Sequence, residues 1–208
     1  NRTEKFMRKL KFLLLLFIPV LIYPQNAQEI LKGLQNKYKL IKSFTADFEQ
    51  ATNAGIDKKE FKSSGKISFK KENKFRIELK DQTLVTDGKT VWNHNKKMKK
   101  IIITNYDSEP TVLSLDKFIL EYPGECKVSF AKGGDGKVLF LQPLKNNSPF
   151  REIKIYPDES SILSRIEFTD ANGNYFSFRF SNVKLDENIS DKEFNYIVPK
   201  GIRALDLR

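Results

Sequence analysis

The sequence predicts an α+β fold that is mainly β: an antiparallel meander with one helix before it and a second helix inserted into it. Hydrophobic residues recur at helical spacing up to Lys42 and alternate with polar residues after it. Asp-Gly or Asn-Gly pairs, which supply the positive φ of tight hairpins, separate alternating runs at 87–88, 135–136 and 172–173. Helices of crossover length do not separate these runs, so a parallel α/β sheet is disfavoured.

Residues 1–25 are predicted to be an N-terminal extension and a secretory signal peptide. A short basic stretch begins at Met7, and an apolar run follows over residues 12–23. That run is too short for a comfortable membrane span, although a retained anchor is the alternative interpretation. We therefore expect residues 26–208 to form a single exported domain in the periplasm.

Two helices are indicated by hydrophobic residues three and four positions apart. The first is expected over 27–42, and the second follows the capping residues and proline of 107–110 and ends at Pro123-Gly124. The apolar positions of the first are Ile30, Leu31, Leu34, Tyr38 and Ile41, and those of the second are Val112, Leu115, Ile119 and Tyr122, flanked by Leu113 and Phe118. Each helix therefore has one face to bury against the sheet.

The alternating runs are predicted to be short strands joined as successive hairpins. They lie at 44–49, 65–69, 74–79, 83–86, 90–93, 100–104, 127–131, 137–142, 151–156, 162–169 and 175–183.

Composition excludes several classes of active site. The chain contains one cysteine and one histidine, so an internal disulfide, a multi-cysteine metal cluster and a histidine-rich site are excluded. His94 lies in a polar stretch that favours a solvated hairpin turn, and Cys126 opens a strand, where a small packing residue is typical. Catalytic motifs such as GxSxG, HExxH or a phosphate-binding glycine loop are missing from the sequence. We expect no enzymatic activity, no cofactor and no metal.

Lysine and arginine exceed aspartate and glutamate by 37 to 26, which gives a net charge of +11. Basic clusters occur at 70–76 and 96–100, close to aromatic residues. A basic cytosolic protein would suggest nucleic-acid binding, but the predicted export signal argues against it. The clusters are interpreted as solvated hairpin ends, or else as a surface for an acidic partner or lipid head groups.

Several stretches together resemble the LolA family of periplasmic lipoprotein carriers. The stretch VTDGKTVW at 85–92 is similar to the family's strand, Asp-Gly-Lys turn and strand. The stretches GKISFKK at 65–71, SFTADFEQ at 43–50 and FNYIVPKG at 194–201 match in the same order. The resemblance runs from about Ala27 to Gly201.

The resemblance implies an incomplete, unclosed antiparallel β-barrel with an N-terminal helix and an inserted helical lid. It also implies a carrier that escorts acylated lipoproteins from the inner to the outer membrane, receiving them from a lipoprotein-releasing transporter and passing them to an outer-membrane acceptor. Family members commonly have Arg-Pro where this chain has Lys71-Glu72, and that arginine is associated with holding the lid to the barrel. Lys71 is therefore expected to act as a lid latch or partner contact, with the charge of arginine but without its planar fork of donors.

A curved sheet only partly filled by helices leaves an apolar cavity suited to acyl chains. A chain of about 16 carbons gains on the order of 12 kcal/mol by leaving water, so it needs an escort through an aqueous compartment. We expect a monomer. The alternative is a lipid- or lipoprotein-sensing domain of the same fold with a different amphiphilic cargo. The cavity is expected to be lined by Phe69, Phe75, Trp92, Ile102, Phe140 and Phe178, and covered by Leu115, Phe118 and Ile119.

Overall fold

A computed structural model of the chain describes residues 26–54, 59–106, 115–132, 137–158 and 162–208. The predicted signal peptide, the first half of the predicted inserted helix and the Asp135-Gly136 turn lie outside the described residues.

Helix α1 spans Ala27–Leu40 and is followed by the strands of one sheet. The strands are β1 (Ser43–Ala54), β2 (Lys59–Lys70), β3 (Lys74–Leu79), β4 (Gln82–Asp87), β5 (Thr90–Asn95), β6 (Lys100–Asn105), β7 (Cys126–Phe130), β8 (Leu139–Pro143), β9 (Phe150–Pro157), β10 (Leu163–Asp170), β11 (Tyr175–Leu185) and β12 (Arg203–Asp206). Between β6 and β7, residues 115–125 form the lid segment, which contains a π-helical stretch (Lys117–Glu121) and a 3₁₀ turn (Tyr122–Glu125).

Two meanders share one twelve-stranded sheet in the order β12-β6-β5-β4-β3-β2-β1-β11-β10-β9-β8-β7. Their junction is the antiparallel pair of β1 and β11, which the chain brings together from its two ends. Within the part of the chain that the structure describes, the outermost strands β12 and β7 do not pair with each other. The predicted mainly-β fold with an unclosed sheet is thus confirmed.

Helix α1 begins with a reciprocal cap. The Asn26 side chain accepts a hydrogen bond from the backbone N–H of Glu29 at 2.8 Å, and the Glu29 carboxylate accepts one from Asn26. The apolar face of the helix buries Leu31, Leu34 and Tyr38 against β7, β8 and the lid segment. In the described residues, no helix is both long and apolar enough to span a bilayer.

The turn between β4 and β5 has the geometry that its Asp-Gly pair predicts. Gly88 has φ +95°, and a Cβ at this position would lie 2.3 Å from the carbonyl oxygen of Glu72. The Asp87 carboxylate accepts hydrogen bonds from the backbone N–H groups of Lys89 and Thr90. Glycine is therefore required here for both conformation and space.

A C-terminal segment, residues 190–208, covers the outer face of β3 and β4 and continues into β12. Phe194 is its buried anchor, at 1% exposure. β12, which the alternation pattern did not predict, pairs in parallel with β6.

Three residues of the first basic cluster, at 70–76, bind the C-terminal segment. Lys70 binds the Asp191 carboxylate at 2.7 Å, and Lys74 lies 3.5 Å from the same group. Arg76 donates to the backbone carbonyl of Glu193. These three cations therefore hold the chain's own C-terminal segment, which corrects their interpretation as solvated hairpin ends or a partner surface.

His94 is buried rather than solvated, which corrects the prediction of a turn residue. β5 extends through Asn95, and the His94 ring lies beneath the C-terminal segment, with Nδ1 2.5 Å from the Tyr196 hydroxyl. Its Nε2 has no hydrogen-bond partner among the described residues. Burial, with a smaller contribution from the Lys96 charge, lowers the pKa of His94.

Acid should therefore destabilise the fold through His94. Below about pH 6.5 the unfolded chain binds a proton at this histidine that the folded chain resists, so stability falls as the pH drops, by at most about 1.4 kcal/mol per pH unit. Above that pH both states hold a neutral ring and the effect vanishes. Chemical denaturation of wild type and His94→Gln at pH 7.5 and 5.0 measures this difference. An equal loss of stability in the two proteins would assign the acid sensitivity to other groups.

Candidate functional site

The residues that the sequence predicts for the cavity wall lie on both faces of the sheet. Phe69 pairs with Phe75 across β2 and β3, and both are buried on the inner face, 5% and 3% exposed. Phe178 of β11 lies on the same face opposite Gln50 of β1. These three phenylalanines therefore face the interior, but Phe178 alone of the three lines the cavity of about 400 Å³ described below, whereas Phe69 and Phe75 border a gap of only about 10 Å³.

Trp92 and Phe140 lie on the opposite face, contrary to the expectation that they line the cavity. Trp92 pairs with Val85, one position out of phase with the inward-facing Val91. Phe140 stands between the inward-facing Leu139 and Leu141 and lines a groove on the outer surface. Because side chains alternate along a strand, the inward position of each neighbour fixes these aromatics outward.

Ile102 shares the inner face, since it pairs with Asn93, which in turn pairs with Leu84. It is only partly buried and does not line either interior cavity described next.

A cavity of about 400 Å³ occupies one end of the curved sheet. It lies near the β3–β4 and β10–β11 turns, and its walls are mostly aromatic and aliphatic. The lining residues are Phe48, Gln50, Ile77, Leu79, Gln82, Leu84, Phe118, Tyr122, Pro149, Phe150, Phe168, Asp170, Asn172, Phe176 and Phe178. The few polar side chains belong to Gln50, Gln82, Asp170 and Asn172, so the cavity resembles a site for an apolar ligand with a polar end.

The lid segment closes one side of this cavity through aromatic contacts. The Phe118 ring lies 4.9 Å from that of Phe168, which stacks in turn on Phe176 at 4.9 Å. Tyr122 packs on Phe150 at 4.7 Å. These contacts join a helical element to the sheet without hydrogen bonds, so apolar ligand atoms could replace them.

A second cavity, of about 30 Å³, lies between α1, the lid segment and the sheet. Leu115 and Ile119 of the lid segment wall it together with Leu34 and Tyr38 of α1. Leu115 and Ile119 are 5% and 0% exposed. Side chains therefore nearly fill the interior under α1, whereas the larger cavity remains at the end near the β3–β4 and β10–β11 turns.

Two side-chain contacts attach these helical elements. The Gln35 side-chain amide of α1 donates to the carbonyl of Ile119 at 2.9 Å. The Lys71 ammonium donates to the carbonyl of Lys39, at the C-terminal end of α1 where a cation is favoured. Lys71 thus connects the end of the β2–β3 hairpin to the helix.

Asp116 brings a carboxylate into the same region. Burial raises its pKa, while the Tyr38 hydroxyl and the Lys71 charge act in the opposite direction. Burial is the main cause that raises the pKa of the Tyr38 phenol, and the nearby Asp116 carboxyl adds to it. A half-buried carboxyl group and an exposed ammonium group therefore lie in the same region, where α1 meets the lid segment.

Sequence comparison identifies the fold family. The family profile described as outer membrane lipoprotein carrier protein LolA matches residues 39–197. The chain belongs to the LolA family. This match includes β1 to β11 and every residue that lines the cavity of about 400 Å³.

Individual relatives in sequence share 25% to 30% identity with this chain. The chain is 25% identical to an outer-membrane lipoprotein carrier protein from Legionella pneumophila, with 94% of this chain and 98% of that protein aligned. It is 30% identical to the uncharacterized protein MJ0687 from Methanocaldococcus jannaschii over 86% of this chain, and spans about half of that relative, 54%. A crystal structure of an uncharacterized conserved protein from Thermus thermophilus matches with a TM-score of 0.53 at 15% identity, covering 86% of this chain and 98% of that one. That structural likeness supports the fold alone.

Residues that the sequence analysis did not propose contribute much of the large cavity. Phe168 and Phe176 face inward with Phe178, and Phe150 and Tyr122 complete the aromatic wall. The alternation in β11 could have identified Phe176, because Phe176 and Phe178 are two positions apart and therefore share a face.

Proposed function

We propose that the protein is a periplasmic carrier that binds the acyl chains of lipoproteins and escorts them from the inner to the outer membrane. The observation that carries this proposal is the cavity of about 400 Å³, walled by aromatic side chains and covered on one side by the lid segment. Its volume lies within the range of small-molecule sites. The LolA profile match and the carrier relatives support the same function.

Binding must be both strong and reversible in such a carrier. Each buried methylene contributes about 0.8 kcal/mol, so a long acyl chain would bind very tightly to a fixed apolar cavity. The lid segment offers Phe118 and Tyr122 to the same aromatic wall. Competition between these rings and the ligand lowers the net affinity and permits release.

The proposed carrier is an exported protein that exchanges its cargo with partners at both membranes. Residues 1–25 act as an export signal, and residues 26–208 form one carrier domain that works as a monomer. An inner-membrane lipoprotein-releasing transporter loads it, and an outer-membrane acceptor unloads it. The protein performs no catalysis and binds no nucleic acid.

Lys71 is proposed as the latch of the covering helices. Lys71→Ala should accelerate release of a bound acyl probe about 3- to 10-fold, because it removes a charged hydrogen bond that is largely exposed to water. Lys71→Arg should restore slow release, since the guanidinium keeps the charge and the donors. Stopped-flow displacement of a fluorescent fatty acid measures the rate. Lys66→Ala, on the exposed outer side of β2, is the control, and a Lys71→Ala rate equal to this control would contradict the latch.

Depletion in the native cell tests the function itself. Lipoproteins should accumulate at the inner membrane and return to the outer membrane when the wild-type chain is expressed again. Unchanged lipoprotein sorting, together with co-purification of another amphiphile, would reject the carrier proposal in favour of a different cargo. Mass spectrometry of the purified protein identifies that cargo.

A further inference from the structure

Strand β2 extends well beyond its neighbour β3. It pairs with β1 along its full length, as at Asn53↔Glu60, whereas its pairing with β3 stops at Gly65↔Leu79. Residues 59–64 consequently have β1 on one side and, among the residues that the structure describes, no strand on the other. We call this side the open edge of β2.

The open edge adjoins a polar notch of about 480 Å³. Ser63 and Ser64 form one wall, and the β3–β4 turn with Lys80 and Asp81 forms the other. The notch shares Gln50, Leu79 and Gln82 with the large apolar cavity. A molecule whose apolar part fills the cavity would therefore place its polar part in the notch.

The chemistry of the notch favours a polypeptide over a phosphate head group. Lys62 is paired with Glu60 at 3.1 Å, the Lys96 ammonium donates to the carbonyl of Leu79, and Asp81 adds a negative charge, so two of the three nearby lysines already have partners in the chain. An unpaired strand edge instead offers backbone N–H and C=O groups in the pattern of an extended peptide. Residues 59–64 span about 20 Å, which is enough for a short added strand.

We propose that the open edge of β2 binds the polypeptide immediately following the acylated residue of the cargo, as an added β-strand, while the acyl chain occupies the large cavity. Main-chain hydrogen bonds do not depend on side-chain identity, so one carrier can accept many acylated proteins. This inference rests on the proposed function and names the part of the cargo that the apolar cavity cannot hold.

Backbone N-methylation of the ligand tests the proposal without altering the protein. Three palmitoylated hexapeptides are compared: one unmodified, one N-methylated at odd positions and one at even positions. An added strand directs alternate N–H groups to the edge, so one methylated peptide should bind about tenfold more weakly and the other within about twofold of the unmodified peptide. Equal affinities for all three would overturn the proposal.

Two further ligands distinguish failure of the added-strand inference from failure of the proposed carrier function. Palmitate alone should still displace an apolar dye from the cavity; if neither palmitate nor any lipopeptide does so, the proposed function fails as well. A diacyl phospholipid that competes as strongly as the unmodified lipopeptide would overturn the polypeptide assignment in favour of a lipid head group.

Cross-linking locates the peptide. Ser64→Cys should undergo thiol–disulfide exchange with a palmitoylated peptide whose third residue is a cysteine activated as a thiopyridyl disulfide, which releases pyridinethione, at least about ten times faster than Ser181→Cys, an exposed position on the outer face of β11. The native Cys126 is buried and provides little background. Equal rates at the two positions, or an undiminished rate with the unacylated peptide, would overturn the proposal.

Discussion

Leu84→Trp is expected to weaken binding of a palmitoyl chain about 15-fold. Leu84 is partly buried and lines the large cavity, so the larger ring would grow into empty space rather than into packed side chains. It would displace about two methylenes of ligand, which corresponds to about 1.6 kcal/mol. Titration with a fluorescent fatty acid measures the affinity.

Leu207→Trp is the matched control, because the same substitution is made at a leucine that is 59% exposed near the end of β12. It should leave the affinity within about twofold of wild type, and thermal unfolding should show both variants folded. Wild-type affinity in Leu84→Trp would mean that acyl chains bind elsewhere. In the depleted cell, the control should restore lipoprotein sorting more fully than Leu84→Trp does.

Phe194→Ala is expected to lower the free energy of unfolding by about 3–5 kcal/mol, the usual cost of deleting a buried phenylalanine. Phe194 is 1% exposed and packs between the C-terminal segment and the outer face of β3 and β4. Without it, the turn at 191–194 would depend largely on ion pairs of Asp191, whose carboxylate is largely exposed, and such pairs contribute little, whereas β12 would still pair with β6. Urea denaturation measures the change.

Ile197→Ala serves as the control within the same segment, since Ile197 is 83% exposed. Its effect should stay within about 0.5 kcal/mol. Limited proteolysis should cut Phe194→Ala earlier than this control within residues 190–208. Equal stability of the two variants would show that the C-terminal segment contributes little to the fold.

The strands and α1 could be predicted because local patterns specify them. The alternation in β3 and the helical spacing from Ile30 to Ile41 each indicate one buried face. Gly88 and Gly173 have the positive φ that their hairpin turns require. The unclosed barrel came from family resemblance, since strand number and closure depend on non-local pairing.

The inward and outward assignment of aromatics was less predictable. Val85 and Val91 are both almost fully buried but lie on opposite faces, because the C-terminal segment covers the outer side of β4. With both faces buried, alternation no longer indicates which side is the interior, and Trp92 was assigned to the wrong face. The continuous apolar run around Phe140 has the same ambiguity. His94 was misjudged for a related reason, since Tyr196 covers it from a distant part of the sequence.

The seam between β1 and β11 has a consequence for biogenesis. Phe48 pairs with Phe180, so the middle of the sheet joins residues from opposite ends of the domain. A nascent chain that has not yet emerged as far as β11 lacks this seam, and the loop-closure entropy of such distant pairs delays folding. The topology thus delays assembly of the whole sheet until β11 has been synthesised, and under the proposed export such a delay would suit passage of an unfolded chain across the membrane.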